Sequence, residues 1–204
     1  MLIHYAYVRL PEWSGDVLRD IRGLLTLNGE EKTLRHVQDV AEACARIARQ
    51  YGLDERRCAL SGWLHDVSAV LRPADMLCIA EERGWEIDPA ERAHPFLLHQ
   101  RISEIMAREA FHMADDVVLS AVACHTTLKA APSAYDMALF LADKLAWDQA
   151  GVPPFAGAVR SALQVSLEEA SLRYIDYVLD HGMILCPHRL LLEARSFLRE
   201  RMPL

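Results

Sequence analysis

The chain has 204 residues, of which 52% are hydrophobic and 25% charged, and its formal net charge is −7. This composition predicts a soluble globular chain with a sizeable core, and the acidity argues against a nucleic-acid surface or a membrane-binding patch. No stretch approaches the roughly 18 uninterrupted apolar residues of a membrane span. The five cysteines, an odd number without a CxxC pair, indicate reduced thiols in a cytoplasmic protein.

The first strong helical pattern lies within residues 31–51, where apolar residues recur at intervals of three and four. This spacing predicts an amphipathic helix with one face turned towards a core. Gly52 suits the position just after that helix, and Asp54 can cap a following helix over residues 55–67. The pattern therefore predicts two helices joined by a short turn.

Capping signals mark two more helices downstream. Pro73 fits the first turn of a helix that ends near Gly84. Ser133 and Asp136 form a capping-box pair before a helix that would stop at Gly151. Helical spacing also covers residues 94–110, 115–125, 157–180 and 187–200.

Strand signals are few in this sequence. Alternation of apolar and polar residues is confined to residues 3–10, and the stretch rich in helix breakers, 151–157, indicates a loop between helices. We therefore predict an all-α fold, a single-domain helical bundle. Residues 1–30 are predicted to form an N-terminal extension that packs on a core domain of residues 31–204.

An adjacent histidine and aspartate, His65 and Asp66, lie in the otherwise apolar stretch SGWLHDVSAV. Burying such groups without partners is costly, so a metal ion is one candidate partner. His36, at the edge of the first apolar helix face, and Asp143, on a later helix, add an imidazole and a carboxylate. This set suits a divalent ion such as iron, manganese or magnesium. In the alternative interpretation, Asp66 caps a helix and His65 donates to a backbone carbonyl.

Two further histidines, His99 and His125, would complete a second metal position. Two ions about 3.5–4 Å apart can hold a bridging hydroxide and clamp a phosphate. Because successive helical residues project about 100° apart, Asp66 could bridge both ions while His65 binds one. Each histidine also has a structural explanation on its own; His125 at a helix C-terminus would simply interact favourably with the helix dipole.

The order of these groups resembles a known family. LRHVQDVAEACARIARQYGLD, LSGWLHDV, HPFLLHQRIS, CHTT and FLAD are similar, in this order, to motifs of the HD superfamily of metal-dependent phosphohydrolases. The chain specifically resembles the YqeK-type branch, symmetrical bis(nucleosyl)-tetraphosphatases that cut diadenosine tetraphosphate into two ADP. The resemblance runs from about residue 33 to beyond residue 180.

The resemblance implies an all-α fold of the HD type and two divalent metal ions, with iron favoured and manganese, cobalt, nickel or magnesium as alternatives. It implies these metal ligands: His36, His65, Asp66, His99, His125 and Asp143. His94 could compete with His99, but the 26 positions from His99 to His125 match the family spacing better.

Several positions depart from the family pattern. Ala69 stands where the family often has lysine, and Leu128 and Lys129 follow the His-Thr-Thr motif where glycine and arginine are usual. Ala146 and Gln149 replace the glutamate and arginine expected after the last ligand motif. The metal ligands are thus retained, whereas groups expected near the substrate differ.

The favoured function is symmetrical hydrolysis of a dinucleoside tetraphosphate, with Asp66 as the catalytic residue that holds both ions. Thr126, Lys129 and Arg101 are candidate phosphate contacts because they lie near ligands in the sequence, and Trp147 offers a stacking surface for a base. The expected partner is a small nucleotide, with no nucleic acid or membrane. A homodimer is a further possibility.

Three alternatives remain at this point. The first is a nucleoside monophosphate phosphatase of the same superfamily. The second is a nucleotide-binding regulatory protein with little turnover, supported by the substitutions at Ala69, Ala146 and Gln149. The third is an interaction domain whose histidines are satisfied within its core.

Overall fold

The structure is a computed structural model that describes residues 5–147 and 151–201. Within these residues the regular structure is entirely helical, which confirms the predicted fold class. The α-helices are α1 (Val17–Leu27), α2 (Glu31–Tyr51), α3 (Glu55–Leu64), α4 (Pro73–Glu82), α5 (Pro89–Ala93), α6 (His99–Glu109), α7 (Asp116–Cys124), α8 (Ala134–Leu145), α9 (Ala156–Ala162), α10 (Leu167–Asp180) and α11 (Arg189–Arg201). Two short 3-10 helices, Val67–Val70 and Pro95–Leu98, precede α4 and α6.

Helix α2 lies at the centre and packs against α1, α3 and α8. It ends where the sequence predicts, at Gly52, whose φ of +67° is the left-handed conformation that favours glycine. The closest approach to α3 occurs at Gly62, where a Cβ atom would lie 2.7 Å from the Cα of Ala41. The missing side chain therefore lets the two helices that lead to His36 and His65 pack closely.

Helix α3 is shorter than the sequence predicts. It ends at Leu64, His65 is its C-cap, and Asp66 leaves the helical conformation with φ −116° and ψ 21°. The side chain of His65 bonds the carbonyl of Gly62 at 2.7 Å, which competes with continuation of the helix. The chain therefore bends at the His-Asp pair instead of carrying it along one helix.

The predicted helix over residues 94–110 is also divided. Pro95 disfavours helical backbone at the residue before it, and His94 has φ −135° and ψ 79°. As a result α6 begins only at His99, after the 3-10 helix, while α5 ends at Ala93. The sequence did not reveal α5, although Asp88 and Glu91 form a capping box at its start.

Two other predicted spans differ from the structure. Residues 157–180 form α9 and α10, because Ser166 adopts an extended conformation and caps α10 with its hydroxyl. Helix α8 has the predicted capping box but stops at Leu145, before Gly151. No strand forms over residues 5–10.

The N-terminal segment lies against the bundle. The Asp20 carboxylate accepts hydrogen bonds from the backbone of Ser14 and Gly15, and Asn28 exchanges hydrogen bonds with the backbone of Arg9. Helix α1 then packs on α2, α3 and the 3-10 helix that follows Asp66. None of the helices in the described ranges is long and apolar enough to cross a membrane.

Candidate metal centre

The six predicted ligands meet at one place, although five separate segments supply them. His36 comes from α2, the His65–Asp66 pair follows α3, and His99 is the first residue of α6. His125 caps the end of α7, and Asp143 lies in the last turn of α8. The bundle thus brings together residues that are up to 107 positions apart in the chain.

One half of the centre contains His36, His65 and Asp66, whose ligand atoms lie within 4.8 Å of one another. Asp143 borders the same space, since its Oδ1 is 3.0 Å from Nε2 of His36 and 3.8 Å from Nε2 of His65. Both Nε2 of His65 and Oδ1 of Asp66 are buried without a hydrogen-bond partner among the described residues. Such orphaned polar atoms are costly unless an ion or water satisfies them.

The other half contains Asp66, His99 and His125, again within 4.8 Å of one another. Oδ1 of Asp66 is 3.3 Å from Nε2 of His99 and 3.6 Å from Nε2 of His125. Its Oδ2 faces the opposite way, at 3.5 Å from Nε2 of His65. Asp66 is therefore the member common to both groups.

Hydrogen bonds to the backbone orient three of the imidazoles. Nδ1 of His65, His99 and His125 lies 2.7, 2.6 and 2.8 Å from the carbonyl oxygen three residues earlier in each case. A carbonyl only accepts, so each Nδ1 carries the hydrogen and each Nε2 points its lone pair at the centre. Metal-binding histidines typically donate their other ring N–H to a carbonyl or carboxylate in this way.

The charges in the centre suit a cation. Burial lowers the pKa of the His99 imidazole to about 4 and also lowers the pKa of His65. Burial opposes ionisation of Asp66, yet the histidines around it hold the pKa of that carboxyl well below its usual range. Neutral His65 and His99 and an ionised Asp66 are the forms of these groups that bind metals.

The comparison with known families agrees with this geometry. The family model for the HD domain matches residues 33–148, more than half of the chain. This chain belongs to the HD-domain family.

Two curated proteins and one solved structure are similar to this HD domain. An uncharacterised protein in the pepC 5′ region of Lactococcus lactis subsp. cremoris is 36% identical over 150 residues, covering 74% of this chain and 76% of the relative. A symmetrical bis(5'-nucleosyl)-tetraphosphatase of Halalkalibacterium halodurans is 27% identical over 113 residues, covering 55% and 60%. The crystal structure of a predicted HD superfamily hydrolase involved in NAD metabolism from Clostridium acetobutylicum aligns with a TM-score of 0.79 at 27% identity, covering 93% and 99%.

A cleft of about 280 Å³ opens onto the ligands of this HD domain. Thr126, a predicted phosphate contact, lines it, and its Oγ1 lies 3.2 Å from Nε2 of His99. Ala146 and Trp147 also line the cleft. Ala69 does not, and Gln149 lies outside the described residues.

The other two predicted phosphate contacts lie elsewhere. The Arg101 guanidinium lies 4.1 Å from the centre of the Trp85 ring and bonds the carbonyl of Glu86, because two positions beyond His99 is the far side of α6. Lys129 turns away after Leu128 and bonds Asp136 at 3.1 Å. Neither cation is among the residues that line the cleft, and their role as phosphate contacts stays a prediction.

The cleft is also lined by a cation that was not predicted from the sequence, Lys144. Its Nζ lies 2.6 Å from Oδ2 of Asp143 and 3.4 Å from the carbonyl of His125. Burial opposes its charge, but Asp143 raises the pKa of the ammonium above its usual value. The signal was its position next to Asp143. Three aromatic residues of the cleft were also missed, namely Phe96, Phe155 and Tyr174.

Proposed function

We propose that this HD-domain protein is a divalent-metal-dependent phosphohydrolase that acts on nucleotides. The observation that carries the proposal is the pair of ligand groups that share Asp66, one with His36 and His65, the other with His99 and His125. Nitrogen and oxygen ligands of this kind suit iron or manganese, and we propose iron first.

In this proposal the ligands have distinct tasks. His36, His65 and Asp143 would hold one ion, His99 and His125 would hold the other, and Asp66 would contact both. Two divalent ions, when bound, supply Lewis acidity towards a phosphate and lower the pKa of a water molecule. The backbone carbonyls that accept from Nδ1 keep the imidazoles turned towards the ions.

Residues of the cleft would hold the phosphate itself. Lys144 presents an ammonium beside Asp143, and Thr126 presents a hydroxyl beside His99. A charged donor next to the reacting group stabilises the negative charge of a transferring phosphate. Lys144 therefore takes the place in the proposal that the sequence had assigned to Lys129 and Arg101.

For the substrate, we propose a dinucleoside tetraphosphate cut symmetrically into two nucleoside diphosphates. The support is the similarity to the Halalkalibacterium halodurans protein, together with the motifs that resemble its branch of the superfamily. Ala146, which stands in the cleft where glutamate was expected, favours a second candidate, a nucleotide-binding protein with little turnover.

The experiment combines metal analysis with a substrate panel. Protein purified without chelator should contain close to two transition-metal ions per chain, and should release ADP as the main product of diadenosine tetraphosphate. A nucleoside monophosphate serves as the comparison substrate. A chain that takes up no iron, manganese, cobalt or nickel would contradict the assignment of the site, and full metal loading without any turnover would favour the second candidate.

A further inference from the structure

A half-exposed aromatic ring lies at the edge of the metal centre. Phe96 is 50% exposed, and it lines the cleft that opens onto the ligands. Its ring stacks on the imidazole of His99 with 4.4 Å between centroids and 13° between planes. The carbonyl of Phe96 also accepts from Nδ1 of His99 at 2.6 Å. The backbone that orients the ligand therefore also fixes this ring at the cleft.

The other aromatic residues of the cleft are arranged differently. Phe155 is buried and meets Tyr174 edge-to-face, with centroids 4.9 Å apart and planes at 89°. Trp147 meets Phe155 in the same way at 5.9 Å and 84°. These three rings contact one another and form a wall of the cleft. Phe96, in contrast, contacts His99 and has half of its surface open to solvent.

The wall also contains an unsatisfied donor. Nε1 of Trp147 is buried, and it has no hydrogen-bond acceptor among the residues that the structure describes. A buried N–H group normally has a partner, and a bound ligand with an acceptor atom would supply one. Because Trp147 lines the same cleft as the metal ligands, this observation points to a ligand larger than a phosphate group.

We propose that Phe96 is the nucleobase platform of this site, a role that rests on the proposed function. The base of a bound nucleotide stacks on the Phe96 ring and extends the stack that His99 begins, while the phosphates lie towards Lys144 and the ligands. Every base has a π face, so an aromatic platform of this kind binds purines and pyrimidines with little discrimination.

The test compares a ligand with a base and one without it. ADP and inorganic pyrophosphate are titrated into the metal-loaded full-length chain, and the Kd of each is measured for the parent and for Phe96→Leu. The leucine variant should bind ADP about 5- to 150-fold more weakly, the range expected for one base stacked on an aromatic ring. Its Kd for pyrophosphate should stay within a few-fold.

Two further variants make the result specific. Phe96→Tyr keeps the aromatic face and should restore ADP binding to near the parent value. Phe197→Leu makes the same change on α11, outside the cleft, and should alter neither Kd. Metal content is measured for every variant, because Phe96 also contacts His99.

The platform proposal is contradicted if Phe96→Leu weakens the binding of ADP and of pyrophosphate equally, or weakens neither. It is also contradicted if the variant loses its metal. Selective weakening of ADP together with rescue by tyrosine would support it. If the parent binds ADP in this base-dependent way but hydrolyses no nucleotide, the platform stands and the proposed hydrolysis fails. If the metal-loaded parent binds neither ligand, both proposals fail.

Discussion

The Nε2 atoms of His99 and His125 face each other at 2.8 Å. Each imidazole already donates its Nδ1 hydrogen to a backbone carbonyl, so in the neutral state both Nε2 atoms present lone pairs. Two acceptors this close repel each other unless a cation or a proton lies between them. Burial disfavours the proton, since it lowers the pKa of His99 to about 4. A metal ion bound to both Nε2 atoms would remove this repulsion.

Metal removal should destabilise the fold for this reason. A ligand at 100 times its Kd stabilises the native state by about 2.7 kcal/mol. For a chain of this size that corresponds to a rise in Tm of roughly 5–11 °C. Thermal unfolding with iron or manganese and with a chelator measures the difference, and His99→Ala should reduce it while His94→Ala leaves it unchanged. Identical Tm values in all conditions would contradict the site.

The carboxylate shared by the two groups should be the most sensitive position. We expect Asp66→Ala to lower metal occupancy and to reduce turnover by more than about 100-fold, which exceeds the effect of losing an outer partner of a ligand. The matched control is Asp136→Ala, whose carboxylate is also buried but caps α8 away from the cleft. That variant should lose stability and keep its metal. Full occupancy in Asp66→Ala would show that Asp66 is not a ligand.

Substitutions of two lysines test which one contacts the phosphate, Lys129 as predicted from the sequence or Lys144 as proposed from the structure. Lys144→Met should lower kcat/KM by about 10- to 150-fold, since a charge-assisted contact contributes about 1.5–3 kcal/mol. Lys129→Met should change kcat/KM by only a few-fold, because its ammonium is paired with Asp136 outside the cleft. Steady-state kinetics on the same nucleotide measures both. The reverse order of effects would return the assignment to Lys129.

A buried side-chain amide near the metal centre should affect the binding affinity of one ion and not of the other. Gln100 is fully buried, and its Oε1 accepts from the backbone of Thr126 at 3.0 Å while its Nε2 donates to Thr127 at 3.1 Å. It thus ties the turn after His125 to α6.

We expect Gln100→Leu to cost about 1–3 kcal/mol of unfolding free energy, because buried donors lose their acceptor. It should also weaken one of two metal-binding steps by about 10- to 100-fold. Titration of the metal-free chain resolves the two steps. Uniform weakening of both would mean that Gln100 supports the whole fold instead.

Leu128 follows the His-Thr-Thr motif, at a position where the resemblance implied glycine. Leu128 has a φ of +58°, a conformation that costs a non-glycine residue about 1–2 kcal/mol. Its side chain is fully buried, however, and burial of a leucine contributes more than this cost. Leu128→Gly should therefore lower the unfolding free energy by about 1–3 kcal/mol and leave turnover within a few-fold. Chemical denaturation measures the first effect, and a stabilised variant would contradict the argument.

The six candidate ligands were predicted from motifs whose order resembles the HD superfamily, because each histidine taken singly also had a structural explanation. Only the adjacent His65 and Asp66 stood out by themselves, as polar residues in an apolar stretch, and the structure brings them together with the other four groups. Their surroundings could not be predicted. Arg101 and Lys129 are near ligands along the chain, but helix direction and the left-handed turn at Leu128 point them away.

The helices likewise include some that could be predicted from the sequence and some that could not. The helix over residues 31–51 was predicted to its ends because the apolar spacing and the glycine that follows it agree locally. The early end of α3 was not, since it depends on a hydrogen bond from His65 to Gly62 and on contacts made across the bundle. Phe96 lies in a short 3-10 helix that has no periodic pattern, and only its stacking on His99 reveals its position.

The absence of a side chain at Gly62 links helix packing to the geometry of the metal centre. Any methyl group at this position would meet the Ala41 backbone and push α2 away from α3. His36 lies on α2 and His65 lies at the end of α3, so this displacement would change the distances between the metal and these two ligands. Coordination tolerates errors of only about 0.2 Å. The distance between these two ligands thus depends on Gly62, whose carbonyl also orients the imidazole of His65.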